Sequence, residues 1–128
     1  MSVKKVVSSK DAPAAVGPYS QAIRAGKLLF LSGQLPINPE TGSIEAKDIE
    51  GQTRQALNNI RAVLIAEGLS LSDVVKTTVF LKDIQDFAKM NGVYKDYFTV
   101  DAPARSAVQV ANLPLNAMVE IESIAVIE

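Results

Sequence analysis

Val74-Val75-Lys76-Thr77-Thr78-Val79-Phe80-Leu81-Lys82 is the run whose reading decides the fold. Its β-branched and aromatic residues mark a strand, and its apolar groups occur at both parities, so neither face of that strand is wholly polar. Upstream the period is helical. From about Ile49 to Glu67, residues Ala56, Ile60, Val63 and Leu64 recur at three- and four-residue spacing, while Arg54, Gln55, Asn58 and Arg61 fall mostly elsewhere. Gly68 stands where a left-handed residue stops such a helix. Downstream, Asp86 is placed to cap a second helix that carries Phe87, Met90, Val93, Tyr94 and Tyr97 or Phe98 on one face.

Outward from this centre lie shorter strands. Lys4 to Ser8 reads as one, with Val6 and Val7, and the loop Ala12 to Pro18 follows because two prolines and a glycine break any period. Tyr19 to Arg24 reads as a second strand, Ala25-Gly26-Lys27 as a turn and Leu28-Leu29-Phe30-Leu31 as a buried strand ended by Ser32-Gly33-Gln34. Pro36 to Gly51 reads as a surface loop. Past Asp101-Ala102-Pro103, two further strands are expected at Arg105 to Ala111 and Ala117 to Ile127, joined by Leu113-Pro114-Leu115-Asn116. The expected fold class is α+β: a single domain over residues 1–128, with a mostly antiparallel six-stranded sheet and two helices on one face.

The last strand predicts more. Val119, Ile121, Ala125 and Ile127 share one face, and Glu120, Glu122, Ile124 and Val126 the other. Two helices cover one face only, so Ile124, Val126 and Phe80 are left as an apolar patch of the kind that marks an interface. A homo-oligomer packed through the second sheet face is expected.

Composition narrows the chemistry. The 128 residues are 48% hydrophobic and 21% charged, with a formal net charge of −1. No apolar stretch approaches the ~20 residues of a membrane span, and the N-terminal residues show no signal-peptide core. Basic residues are scattered, so no nucleic-acid partner is expected. Zero cysteines exclude disulfides and thiol nucleophiles and are compatible with the expected cytoplasmic setting. Zero histidines exclude Ser-His-Asp triads and His-ligated zinc, so no metal site is expected, and no nucleotide-cradling glycine loop is present. Catalysis is left to Arg, Lys, Tyr, Ser, carboxylates or backbone groups.

Among these, Arg105 in Pro103-Ala104-Arg105-Ser106-Ala107 opens a strand beside small residues, where a guanidinium can hold a carboxylate through two parallel hydrogen bonds. The plain alternative is a solvated strand-end arginine. Glu120 lies on the face expected to be covered in an oligomer. Partial desolvation there raises its pKa and suits it to position or deprotonate a water; the plain alternative is a structural ion pair. Gly17-Pro18-Tyr19 and Ser32-Gly33-Gln34 bring a phenol, a hydroxyl and bare backbone to strand ends, which ordinary turn chemistry also explains. Asn91 is a polar residue of the second helix.

Taken together, Ala12-Pro13-Ala14-Ala15-Val16-Gly17-Pro18-Tyr19-Ser20-Gln21-Ala22, Ser32-Gly33-Gln34-Leu35-Pro36, Val75-Lys76-Thr77-Thr78-Val79-Phe80, Pro103-Ala104-Arg105-Ser106 and Val119-Glu120-Ile121-Glu122 resemble the RidA (YjgF/UK-type) family, in order and over essentially the whole chain. The resemblance implies a chorismate-mutase-like fold, a homotrimer with clefts between subunits, and cofactor-free hydrolysis of reactive enamines and imines (2-iminobutanoate, 2-iminopropanoate) to 2-oxo acids and ammonia. It implies Arg105 as carboxylate anchor, Glu120 as the water-positioning carboxylate, and Tyr19, Ser32, Gly33 and Asn91 as pocket residues. Ala107 departs from the cysteine common beside the arginine in relatives, leaving pocket size and substrate preference open. Two other functions remain at this point: a non-catalytic module binding small 2-oxo acids, and the ribonuclease or translation-inhibitor activity associated with some relatives.

Overall fold

A computed structural model describes residues 3–128. Met1 and Ser2, which begin the stretch read as lacking a signal peptide, lie outside the described residues. Among the described residues six strands and two α-helices follow one another as β1 (Lys4–Val7), β2 (Ala22–Ala25), β3 (Leu28–Gln34), α1 (Ile49–Ala66), β4 (Val74–Leu81), α2 (Phe87–Tyr97), β5 (Ala104–Gln109) and β6 (Val119–Val126). The sheet order is β1-β2-β3-β6-β4-β5, antiparallel throughout except for the parallel pair β4–β5.

This order explains the two-layer architecture. Because β6 runs antiparallel to both β3 and β4, those two strands are parallel, and β5 is parallel to β4. The connections β3-α1-β4 and β4-α2-β5 are therefore successive crossovers in one direction along the sheet. Right-handed crossovers of that kind put both helices on the same face. Accordingly α1 packs on β3 and β6 and also against α2. The Tyr94 hydroxyl of α2 bonds Thr77 Oγ1 of β4 at 2.8 Å. The core lies between these layers: Leu57, Ile60 and Leu64 of α1 and Met90 of α2 meet Val79, Leu81, Val119 and Ile121, all fully buried.

Helix α1 lies within one residue of the span its period predicts, and the loop read over Pro36 to Gly51 ends three residues early, at Asp48, because that carboxylate caps the helix by accepting from Gly51 N. At its end Gly68 adopts φ +74, and Leu69 N donates to Leu64 O while Gly68 N donates to Ile65 O. That is a Schellman closure, which needs a left-handed residue at Gly68.

Several boundaries differ from expectation. β2 begins at Ala22 rather than Tyr19, because the buried Gln21 side chain bonds backbone of the preceding loop, donating to Pro13 O at 2.7 Å and Ser9 O at 3.1 Å. Ser32-Gly33-Gln34 continues β3 instead of ending it, through a shift in which Leu31 pairs Ser123 but Gln34 pairs Ile121. Strand β5 ends at Gln109, two residues early, and β6 occupies Val119–Val126 within the expected span. Asp86 precedes α2 without a capping hydrogen bond from its side chain; Asp83 does that work one turn earlier, accepting from Gln85 N. A bulge in β4, where Val74 pairs Ala125 and Lys76 pairs Ile124, puts Val74 and Thr77 on the same buried face. That phase change accounts for Val74, whereas Phe80, at the same parity, belongs to the other sheet face opposite Glu120.

The second face is open. Register aligns Val6, Ile23, Phe30 and Ile124 across four strands, with Leu28 beside Val126. Val6 is 60% exposed and Phe30 42%, while Ile124, Val126 and Phe80 are half-buried. The apolar patch expected from the last strand is present and larger than its three predicted members. Among the described residues no helix is long and apolar enough to cross a membrane.

Candidate active site in two halves

Arg105 stands on edge strand β5, opposite Thr77, with its side chain on the helix-covered face. Its Nη1 donates to Asn91 Oδ1 at 2.7 Å. Its guanidinium carbon lies 4.8 Å from the ring centre of Tyr94 and 5.4 Å from that of Phe87. Ala107, two residues along the same face, is half-buried against the core. A parallel edge strand next to its own crossover helix is what brings Arg105, Asn91 and Ala107 together.

Glu120 stands on β6, opposite Phe80, and projects from the open face. Its carboxylate folds over the irregular stretch of β3 at Gly33. A Cβ built on Gly33 would overlap Oε2 and sit 2.9 Å from Cδ, so only glycine leaves that space. Burial is the first cause raising the Glu120 pKa, and the nearby charge of Glu122 is the second. Ser32 Oγ donates to Ser20 O at 2.6 Å. Tyr19 is half exposed, and its hydroxyl accepts from Val16 N at 3.3 Å. Tyr19 and Gly33 line a cavity of about 530 Å³ together with Leu35, Ile37, Pro114 and Leu115.

The cavity walls are held by buried amides. Asn59 Nδ2 donates to Leu35 O at 3.1 Å and Ile37 O at 2.9 Å, and Gln52 Oε1 accepts from Met118 N at 2.8 Å. With Gln21 they fix three loops around the cavity. Sequence reasoning missed all three amides. A signal existed: Asn59 interrupts the Ala56–Val63 stripe of α1 and Gln52 precedes it by one turn on the same face, and a polar residue on an apolar stripe must find a partner.

The predicted site residues thus fall into two groups. Arg105, Asn91 and Ala107 gather under α2; Glu120, Gly33, Ser32 and Tyr19 gather around the irregular end of β3. Arg105 and Glu120 lie on opposite faces of the sheet, so one chain does not bring them to a common point.

A family model described as Endoribonuclease L-PSP matches residues 9–127. A RutC family protein of Pyrococcus horikoshii is 56% identical over 123 residues, covering 96% of this chain and 98% of that one. The 2-iminobutanoate/2-iminopropanoate deaminase of Escherichia coli K12 is 47% identical over 127 residues, covering 97% and 98% of the two chains. A crystal structure of E. coli TdcF with bound serine superposes with a TM-score of 0.93 at 46% identity, covering 97% and 99%. The chain belongs to this family, the one it resembles as RidA, and its α+β fold is the family's fold.

Proposed function

We propose that this chain is a 2-iminobutanoate/2-iminopropanoate deaminase, hydrolysing reactive enamines and imines to 2-oxo acids and ammonia. The observation that carries the reading is the oriented guanidinium of Arg105: Asn91 takes one N–H, and the remaining fork is available for a substrate carboxylate. The name of the E. coli relative, nearly half identical over the whole length, supports the same activity.

The chemistry suits the residues. Once the carboxylate is anchored, water attacks the imine carbon; the C–O bond forms as the C=N π electrons move to nitrogen. Glu120 accepts a water proton and delivers it toward that nitrogen. In the carbinolamine so formed, Glu120 takes the remaining hydroxyl proton and passes it to the amino nitrogen; C=O forms as the C–N bond breaks, its electron pair goes to nitrogen, and ammonia leaves with the carboxylate regenerated. Positioning and preorganised charge supply most of the acceleration, because an imine carbon is already electrophilic. Glu120 suits proton transfer because its raised pKa moves toward the operating pH.

A homotrimer, as the resemblance implies, belongs to the same proposal. The exposed apolar face supports an assembly, and the separation of Arg105 from Glu120 supports a cleft built from two copies. Ser32, Gly33 and Tyr19 would then face Arg105, Asn91 and Ala107 across the boundary. A cytoplasmic setting, expected from the cysteine-free sequence, completes the reading. The family description also names an endoribonuclease, but the cavity beside Gly33 is lined by groups such as Leu35, Ile37 and Leu115, with no lysine or arginine among its walls, which favours a small substrate over a polyanion.

The test is ammonia release from 2-iminobutanoate generated freshly by a dehydratase. Wild type is expected to accelerate it and Arg105→Ala to lose the acceleration. Wild-type rates in Arg105→Ala would overturn the assignment. Binding of 2-oxobutanoate without acceleration would favour a sensing module instead.

A further inference from the structure

Helix α2 presents Phe87, Asn91 and Tyr94 at successive turns of one face, and all three meet the same side chain. Asn91 bonds an edge of the Arg105 guanidinium, whereas Tyr94 and Phe87 offer ring faces to its carbon at 4.8 and 5.4 Å. A guanidinium is weakly hydrated on its flat faces and strongly hydrogen-bonding at its rim. Rings on the faces therefore exclude water and fix the plane while consuming no N–H donor.

The rings are themselves anchored. The Tyr94 hydroxyl bonds the buried Thr77 Oγ1 at 2.8 Å, and its ring lies 4.7 Å from that of Phe98 at 40°. Thr77 is also the residue paired with Arg105 across β4 and β5. Backbone register and side-chain stacking thus locate the same guanidinium from two directions.

We infer that Phe87 and Tyr94 are positioning residues for substrate binding: their rings hold the Arg105 fork in the plane in which it accepts a substrate carboxylate. The inference rests on the carboxylate-anchoring role proposed above for Arg105. Its signature is a loss in binding with the chemical step retained, because the rings touch the arginine and not the reacting carbon.

The experiment measures kcat and KM on 2-iminobutanoate, and Kd for 2-oxobutanoate as an unreactive probe, in wild type, Arg105→Ala, Phe87→Leu, Phe87→Tyr and Tyr94→Leu. Phe87→Leu is expected to raise KM and Kd roughly 2- to 30-fold, the range of a cation–π contact. Its kcat stays within about twofold of wild type, as expected when only uniform binding is removed. Phe87→Tyr, which keeps the ring, restores both constants. Tyr94 is buried, so if Tyr94→Leu fails to fold, the half-buried Phe87 decides the matter. Unchanged KM and Kd in Phe87→Leu, with binding lost in Arg105→Ala, overturn the inference and leave the deaminase reading standing. So does a parallel fall in kcat and melting temperature that Phe87→Tyr does not rescue. Wild-type binding in Arg105→Ala overturns both readings.

Discussion

At Gly33 a single hydrogen decides where a carboxylate rests. The Cβ of an alanine would overlap the Glu120 carboxylate, and the cheapest relief is rotation of that flexible side chain rather than movement of the sheet. Gly33→Ala is therefore expected to keep a near-normal melting temperature and lose kcat; a collapse in stability with normal kcat per folded molecule would contradict this. Glu120→Gln separates function from stability. Removing a general acid–base group costs about 10²–10⁴-fold in rate. The folded-state pKa of Glu120 is raised, so its stabilising contribution is present below its unfolded-state value and is lost as pH rises through the folded-state value. The glutamine variant should accordingly melt higher than wild type near neutrality, with the gap closing on acidification. Calorimetry across pH checks the sign. The acid limb of kcat/KM should lie above the ordinary carboxylate range, and Glu122→Gln should move it down, because the charge of Glu122 is the second cause of the shift. Arg105 and Glu120 were legible as candidates because only a few residue types remained to do chemistry. Gln21, Gln52 and Asn59 were not, since their work is to bond backbone groups of loops eight or more residues away, carbonyls for Gln21 and Asn59 and the Met118 N–H for Gln52.

The elements show where local pattern suffices and where it fails. α1 was readable because its period and its stop signal agree, with Gly68 carrying the stop at φ +74, whereas the Asp48 cap went unread and the loop read over Pro36 to Gly51 overlaps the first turn. Gly68→Ala forces a Cβ into the left-handed region and is expected to cost about 1–2 kcal/mol in denaturant unfolding; an unchanged midpoint would contradict the Schellman account. Strand ends were less readable. Tyr19 to Gln21 has strand-like residues, yet the Gln21 side chain occupies backbone groups of residues 9 to 13, and the ladder begins only at Ala22. Ser32-Gly33 looks like a terminator but is an irregularity within β3 that re-aims the chain toward the cavity. The parallel pairing of β4 with β5 was invisible locally, since it depends on the crossover through α2. That pairing sets Arg105 beneath Asn91.

For the whole molecule, the open sheet face and the divided site make one argument. Ile124→Lys at the centre of the apolar patch leaves the helix-covered core untouched and is expected to shift the protein to a monomer in light scattering, with turnover lost and the fold retained. An active monomer would contradict a site shared between copies. The last strand and the Val74–Lys82 run together announced the uncovered face; the extent of the patch came from the register of β1, β2 and β3, which no single segment encodes. The most direct test of the central claim mixes two inactive variants. Arg105→Ala and Glu120→Gln, refolded together in equal amounts, should regain about a quarter of wild-type activity, because random assembly of a symmetric ring pairs an intact arginine with an intact glutamate at that fraction of interfaces. Activity no greater than the sum of the separate variants would show that Arg105 and Glu120 do not serve one substrate across a subunit boundary.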